Sequence, residues 1–316
     1  MTAGTNLRER VGLVIYGPDT AAVVETIAAA EAAGVRQVWM TQGAAMPDTL
    51  IGFAAAALRT STVRLGTAIV PTYPRHPLAL AQQALAVADL APGRLRLGIG
   101  PSHRPTIEGT YGLPMGTPLA HLREYLTVLR GLLWEGAVDQ QGAYYQVRGS
   151  LPRTPRVPIL VSALRANAFH LAGELSDGAI SWLCPVPYLL EGALPALRVG
   201  AAAAGRPAPP IVAHLSVALS EDRPAVVAAA RQTVARYARL PFYARMFADA
   251  GFPIAEPGTV PDALIESLVI FGDEGAVRDR LVAALAGGLD EILVMLVPVV
   301  DEAAERSRLM RLIGAL

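Results

Sequence analysis

Residues 100–104 read Gly-Pro-Ser-His-Arg and set a hydroxyl, an imidazole and a guanidinium side by side. His103 titrates near neutrality, which suits it to moving a proton. Ser102 next to His103 suggests a nucleophile and its base, but adjacent side chains seldom point at one another, and no oriented acid accompanies them. Gly98 and Gly100 lack side chains where the backbone must pass close to something, and Pro101 ends the strand's hydrogen bonding. A second polar group, Ser162-Ala163-Leu164-Arg165, runs directly into a helical pattern. Its free N–H groups and helix dipole make either a phosphate site, with Ser162 and Arg165 as added donors, or a plain helix start with Arg165 in solvent. A third stretch, residues 67–74 (TAIVPTYP), is apolar, and its prolines and β-branched residues make a stiff wall. Ala68, Ile69, Val70 and Tyr73 in this wall fit one face of a planar ring or an ordinary buried rim.

These groups need strands to bring them to a common end. Strand-like apolar runs fall at residues 11–17, 37–42, 63–70, 94–100, 157–162, 178–183, 211–220 and 291–298. Helical patterns follow them at 20–34, 47–60, 77–90, 121–134, 167–175, 187–204, 223–247 and 302–313, with further helices at 260–270 and 274–286. Residues 143–148 read as a short extra strand, and 101–119 as a long connection of the kind that forms lids or insertions. Near-continuous apolar strands belong to parallel sheets covered on both faces. Eight strand–helix units imply a (β/α)8 TIM barrel, one domain over residues 1–316, with insertions after the fourth and seventh strands. A doubly wound sheet is the alternative. In both, ligands bind at the strand carboxyl ends, where the chain places Gly17-Pro18, Thr41-Gln42, 68–73, 100–104, 162–165, 181–184 with Trp182, 214–216 and 297–299.

Composition removes several classes of function. Hydrophobic residues make up 53% of the 316, ample for a large core, and the formal net charge is zero. A neutral chain argues against nucleic acid or an anionic membrane as partner. The single cysteine, Cys184, excludes an internal disulfide or a cysteine-ligated cluster within one chain. All 27 basic residues are arginine, so neither a Schiff-base lysine nor a P-loop lysine is available. The strand ends carry no carboxylate cluster and no histidine–carboxylate set at metal spacing. With no long apolar run and no signal-peptide core, a cytoplasmic protein is expected.

Taken together, RLGTAIVPTYPRHPLALAQQAL, RLRLGIGPSHRP, LREYLTVLRGLLWEGAVDQQGAYYQVRG and ILVSALRANAFHLAGELSDGAISWL resemble the luciferase-like monooxygenase superfamily, and within it the coenzyme F420-dependent oxidoreductases of actinobacteria. The resemblance spans about residues 11–298, and the order and spacing of the four stretches carry it. It implies a barrel with a flavin or deazaflavin across the strand carboxyl ends, a small-molecule substrate and a homodimer. It further implies a non-prolyl cis peptide at Ala68-Ile69 behind the ring, and a phosphate turn at Ser162, Ala163, Leu164 and Arg165. Thr41, Val70, Gly100, Ser102 and Trp182 complete the implied cofactor set. His103 falls on the substrate side.

Two departures matter. Many relatives carry an acidic residue and then a catalytic histidine after the second strand; here these positions hold Thr41 and Gln42, neither able to act as a general base near neutral pH. Gln42 is kept as a catalytic candidate by position alone. Relatives that oxidise sugar phosphates carry a carboxylate where this chain has His103, so that chemistry is disfavoured and His103 becomes the main proton-transfer candidate. Among other histidines, His76 suits a helix cap, His121 and His170 lie within helices, and His214 in the seventh strand points into the barrel or packs. Tyr237, Phe242, Tyr243, Met246 and Phe247 form a stripe read as helix core, dimer contact or substrate cover, with Tyr243 and Phe247, together with Tyr73 after the third strand, as substrate-side candidates. An apolar cover with no spare cation favours a neutral organic substrate. The expected activity is F420-dependent hydride transfer to or from an unsaturated or carbonyl-type molecule. The alternatives are an FMN monooxygenase using O2 and a barrel without cofactor.

Overall fold

A computed structural model describes residues 7–316. In chain order the elements are β1 Val11–Val14, α1 Thr20–Ala32, β2 Gln37–Met40, α2 Thr49–Ala57, β3 Arg64–Thr67, β4 Val70–Pro71, α3 Pro77–Leu90, β5 Leu95–Gly100 and α4 Pro118–Arg130. They continue with β6 Ala137–Gln141, β7 Gln146–Ser150, β8 Ile159–Ser162, α5 Ala166–Leu175, β9 Gly178–Ile180, α6 Val186–Tyr188, α7 Leu194–Ala203 and β10 Ile211–Ala218. The last part holds α8 Arg223–Ala238, α9 Pro241–Asp249, α10 Asp262–Leu268, β11 Val269–Phe271, α11 Glu274–Ala286, β12 Glu291–Leu296 and α12 Glu302–Gly314.

Parallel pairing runs β1-β2-β3-β5-β8-β9-β10-β12, and β12 pairs back onto β1, so eight strands close a barrel ringed by helices. This is the (β/α)8 barrel expected from the apolar runs: β1, β2 and β10 are buried at every position because helices cover the outside and side chains fill the inside. Aspartate caps fix many helix starts; Asp19, Asp48, Asp222, Asp273 and Asp301 each accept from first-turn amides.

Trp39 fills the barrel interior. It is fully buried with Val14, Leu160, Ile180, Val212 and Leu293, and a methyl group on Gly12 or Gly66 would meet its ring at 2.6 and 2.3 Å. Trp39 donates to Gln37 (3.1 Å), and the Arg96 guanidinium lies 5.0 Å over its ring while pairing with Glu291 at 2.6 Å. The barrel is therefore plugged from the middle to its amino end, which leaves the carboxyl end for a ligand.

Three sequence expectations need correction, and a fourth is extended. The third strand does not run unbroken through 63–70: β3 stops at Thr67, the Ala68-Ile69 peptide is cis, and β4 resumes against β5. The extra strand at 143–148 is one arm of an antiparallel hairpin, β6–β7. The helix at 223–247 is two, because Leu240 turns extended before Pro241, which starts α9. The helix at 260–270 ends at Leu268; Val269–Phe271 then pair with Ser216–Ala218 as β11. Among the described residues no helix is long and apolar enough to cross a membrane.

Candidate active site

A cavity of about 700 Å³ opens at the carboxyl end of the barrel. One wall is the cis bulge. Ala68 and Ile69 line it, and residues after β2 hold both carbonyls: Thr41 Oγ1 donates to Ala68 O at 2.6 Å, and the Gln42 amide N–H to Ile69 O at 3.1 Å. The Gln42 side chain faces the cavity, but its amide is engaged locally, accepting from Thr49 N (2.8 Å) and donating to Gly43 O. It shapes the loop into α2, with both ends of its amide committed to backbone.

Ser102 and His103 line the cavity beyond β5. Ser102 sits at φ 60°, in the left-handed region that non-glycine residues avoid, and this turn aims His103 inward. The imidazole stands edge-on to Tyr237 and Tyr243, with centroids 5.5 and 5.6 Å away. Burial, and then the nearby Arg236 charge, push its pKa below the usual histidine value. A neutral His103 at physiological pH accepts a proton better than it donates one.

The glycines serve protein rather than ligand. A Cβ on Gly98 would lie 2.0 Å from Thr67 O, and one on Gly100 would lie 2.0 Å from Ser162 Oγ. Gly98 permits strand contact, and Gly100 admits the Ser162 side chain, which does line the cavity. The turn after β8 is less open than its sequence suggests. Ala163 N donates to Ile180 O at 2.9 Å within the barrel ladder, Leu164 O accepts from Tyr188, and Arg165 pairs with Asp249. Helix α5 then begins at Ala166 without a side-chain cap; Ala168 N and Phe169 N already donate to Arg165 O, which leaves the Ala166 and Asn167 amides for a ligand.

The floor and far wall hold Trp182 and His214, rings 4.3 Å apart. Trp182 Nε1 and His214 Nε2 are buried without a hydrogen-bond partner among the described residues, and burial pushes the His214 pKa down to about 3. Tyr16, its hydroxyl pKa raised by burial, and Met295 close the remaining side. The cover is the face of α8 carrying Thr233, Arg236 and Tyr237, continued by Leu240 and Tyr243.

Several expected site residues stand back from the cavity. Val70 is buried in the β4–β5 pairing. Tyr73 stacks on His121 with centroids 3.9 Å apart, and His121 in turn bonds the Tyr145 hydroxyl. Phe247 is fully buried behind Tyr243. Gly100, Ala163, Leu164 and Arg165 also lie outside the lining. His76 caps α3 through Nδ1, as its position suggested. Sequence reasoning missed Tyr16, Thr233, Arg236 and Met295. The spacing 233, 236, 237, 240 is one helical face, so the period that marked Tyr237 also pointed to Arg236. Arg236 overturns the expectation of no spare cation. Among the described residues no group of histidine, cysteine and carboxylate side chains could hold a metal, and burial pushes the Cys184 thiol up to about 12, so it is no nucleophile.

Comparison with known proteins fits this geometry. The family described as luciferase-like monooxygenase matches residues 1–291. A putative coenzyme F420-dependent oxidoreductase of Mycobacterium tuberculosis is 29% identical, covering 85% of this chain and 89% of its own. Among solved structures, an F420-dependent secondary alcohol dehydrogenase in complex with an F420-acetone adduct superposes with TM-score 0.79 at 19% identity, over 97% of this chain and 98% of its own. The oxygenating constituent of 3,6-diketocamphane monooxygenase from Pseudomonas putida, in complex with FMN, gives 0.73 at 17% identity, over 96% of each chain. At these identities the two structures establish the shared fold.

Proposed function

Because the chain belongs to the luciferase-like monooxygenase family, we propose that this oxidoreductase uses coenzyme F420 and moves hydride to or from a carbonyl-type or unsaturated organic substrate. The observation that carries the proposal is the Ala68-Ile69 wall, its carbonyls held by Thr41 and Gln42, sharing one cavity with His103, whose ring packs against Tyr237 and Tyr243. A flat wall with both carbonyls tied back suits the back face of a planar ring. The uncapped first turn of α5, next to Ser162, suits a phosphate on the same molecule. The relative that matches most of the chain supports F420 over FMN.

Bound there, the deazaflavin supplies a carbon that takes or gives hydride. The chain's own residues do the rest. Thr41 and Gln42 fix the wall, and the Tyr237–Tyr243 pair, centroids 4.8 Å apart, keeps water from the reacting centre. His103 accepts the hydroxyl proton as hydride leaves the adjacent carbon, and returns it in the reverse direction. Its lowered pKa favours the base role.

Titration of purified protein with F420 and with FMN, followed by cofactor fluorescence quenching, tests the proposal. Quenching of F420 without oxygen consumption is expected. Binding of FMN alone would replace this reading with monooxygenation, and binding of neither would leave a barrel without cofactor.

A further inference from the structure

Arg236 sits where an apolar cover was expected. Among the described residues lining the cavity it is the one formal charge, and no aspartate or glutamate accompanies it. Other arginines around the rim have carboxylate partners: Arg104 pairs with Glu108 and Arg165 with Asp249. Arg236 has none among the described residues; it is exposed, its guanidinium lies 5.2 Å over the Tyr237 ring, and its charge reaches His103. The rest of the polar lining points the same way. Trp182 Nε1 is a buried donor without an acceptor among the described residues, and the hydroxyls of Ser102, Thr106, Thr110 and Thr233 add further donors. Below the cation the walls are aromatic. A cavity rich in donors, with an unpaired guanidinium and no carboxylate, is complementary to an anion on a flat body.

We propose that Arg236 binds an anionic group of the substrate, so that the enzyme acts on an acidic organic molecule such as an aromatic or unsaturated carboxylic acid. This reverses the neutral substrate inferred from the apolar stripe. It rests on reading the cavity as the substrate site, yet its test needs no turnover. Arg236 is exposed, so the discrimination rests on a bidentate guanidinium–carboxylate pair read at low ionic strength, which separates an acid from its amide by about tenfold.

The experiment is a ligand-observed NMR titration with trans-cinnamate and trans-cinnamamide at low ionic strength, on protein with and without F420. Cinnamate should bind about tenfold tighter than the amide. Arg236→Met should erase the difference, and Arg236→Lys should retain part of it as a point charge. Equal affinities, no binding of cinnamate, or a preference that survives in Arg236→Met would each overturn the proposal. So would a loss of F420 affinity in Arg236→Met, which would give the guanidinium to the cofactor, or a lowered Tm as its sole effect, which would give it to the helix dipole. Wild-type protein that prefers cinnamate but binds no F420 would uphold the anion site and remove the cofactor assignment.

Discussion

At the scale of single residues, the proposed proton-transfer role of His103 rests on elimination and on its place in the cavity. His214 and His121 are buried and held neutral, His76 caps a helix and Gln42 is engaged with backbone. His103→Ala should lower kcat by about 10²–10⁴-fold while F420 affinity, read by fluorescence quenching, changes little; an unchanged rate would take His103 out of the chemistry. The pH profile has a definite sign. With a pKa below the usual histidine value, the neutral base is fully present at neutral pH, so substrate oxidation should stay level from there upward and fall only on acidification below about pH 6.5. The position of His103 on the cavity was legible in the sequence because it follows the carboxyl end of a buried strand, the end at which barrels bind ligands. Arg236 was not, since a stripe scanned for apolar residues passes over the cation inside it. Nor could the sequence reveal that Gln42 would commit its amide to Thr49, which depends on how the loop folds back.

Elements were legible where burial alone decides them. The eight barrel strands announce themselves as apolar runs, and the aspartates before the helices set their starts. The breaks were not legible. The interruption of the third strand lies in a peptide isomer that side-chain pattern does not encode, and came only from the family resemblance. Strand β11 follows a helical pattern without a turn residue, and pairing with β10 decides its conformation. The glycines of β5 show the same limit: they signalled close approach, but the approaching atoms are Thr67 O at Gly98 and Ser162 Oγ at Gly100. Gly98→Ala must therefore displace backbone in the neighbouring strand. It should cost on the order of several kcal/mol and appear as lost soluble yield or a strongly lowered Tm. A normal Tm would mean that the β3–β5 contact yields more easily than its geometry implies.

For the molecule as a whole, two features govern stability. Arg96 and Glu291, 12% and 17% exposed, join the fourth and eighth barrel strands beneath Trp39. Glu291→Gln leaves the guanidinium without its charge partner and should cost about 3 kcal/mol by denaturant unfolding, whereas the exposed pair Arg148–Asp139 should be nearly silent. Acid is the second lever. His121 and His214 have pKa values pushed down to about 4 and about 3 in the folded chain. Below about pH 6.5 the unfolded chain takes up protons that these rings refuse, so stability falls as pH drops. Both residues are buried, and by about pH 5 the loss should be about 2 kcal/mol for each. A Tm that stays level between neutral pH and pH 5 would contradict the buried, uncharged state of both. The plug has one more consequence. With Trp39 and the Arg96–Glu291 pair filling the barrel towards its amino end, the cavity is closed below and opens at the carboxyl end. On the proposed reading, a ring laid against the inner wall and a substrate held under Arg236 would both enter from the carboxyl end, one after the other. Steady-state kinetics should accordingly be ordered, with the cofactor first in and last out.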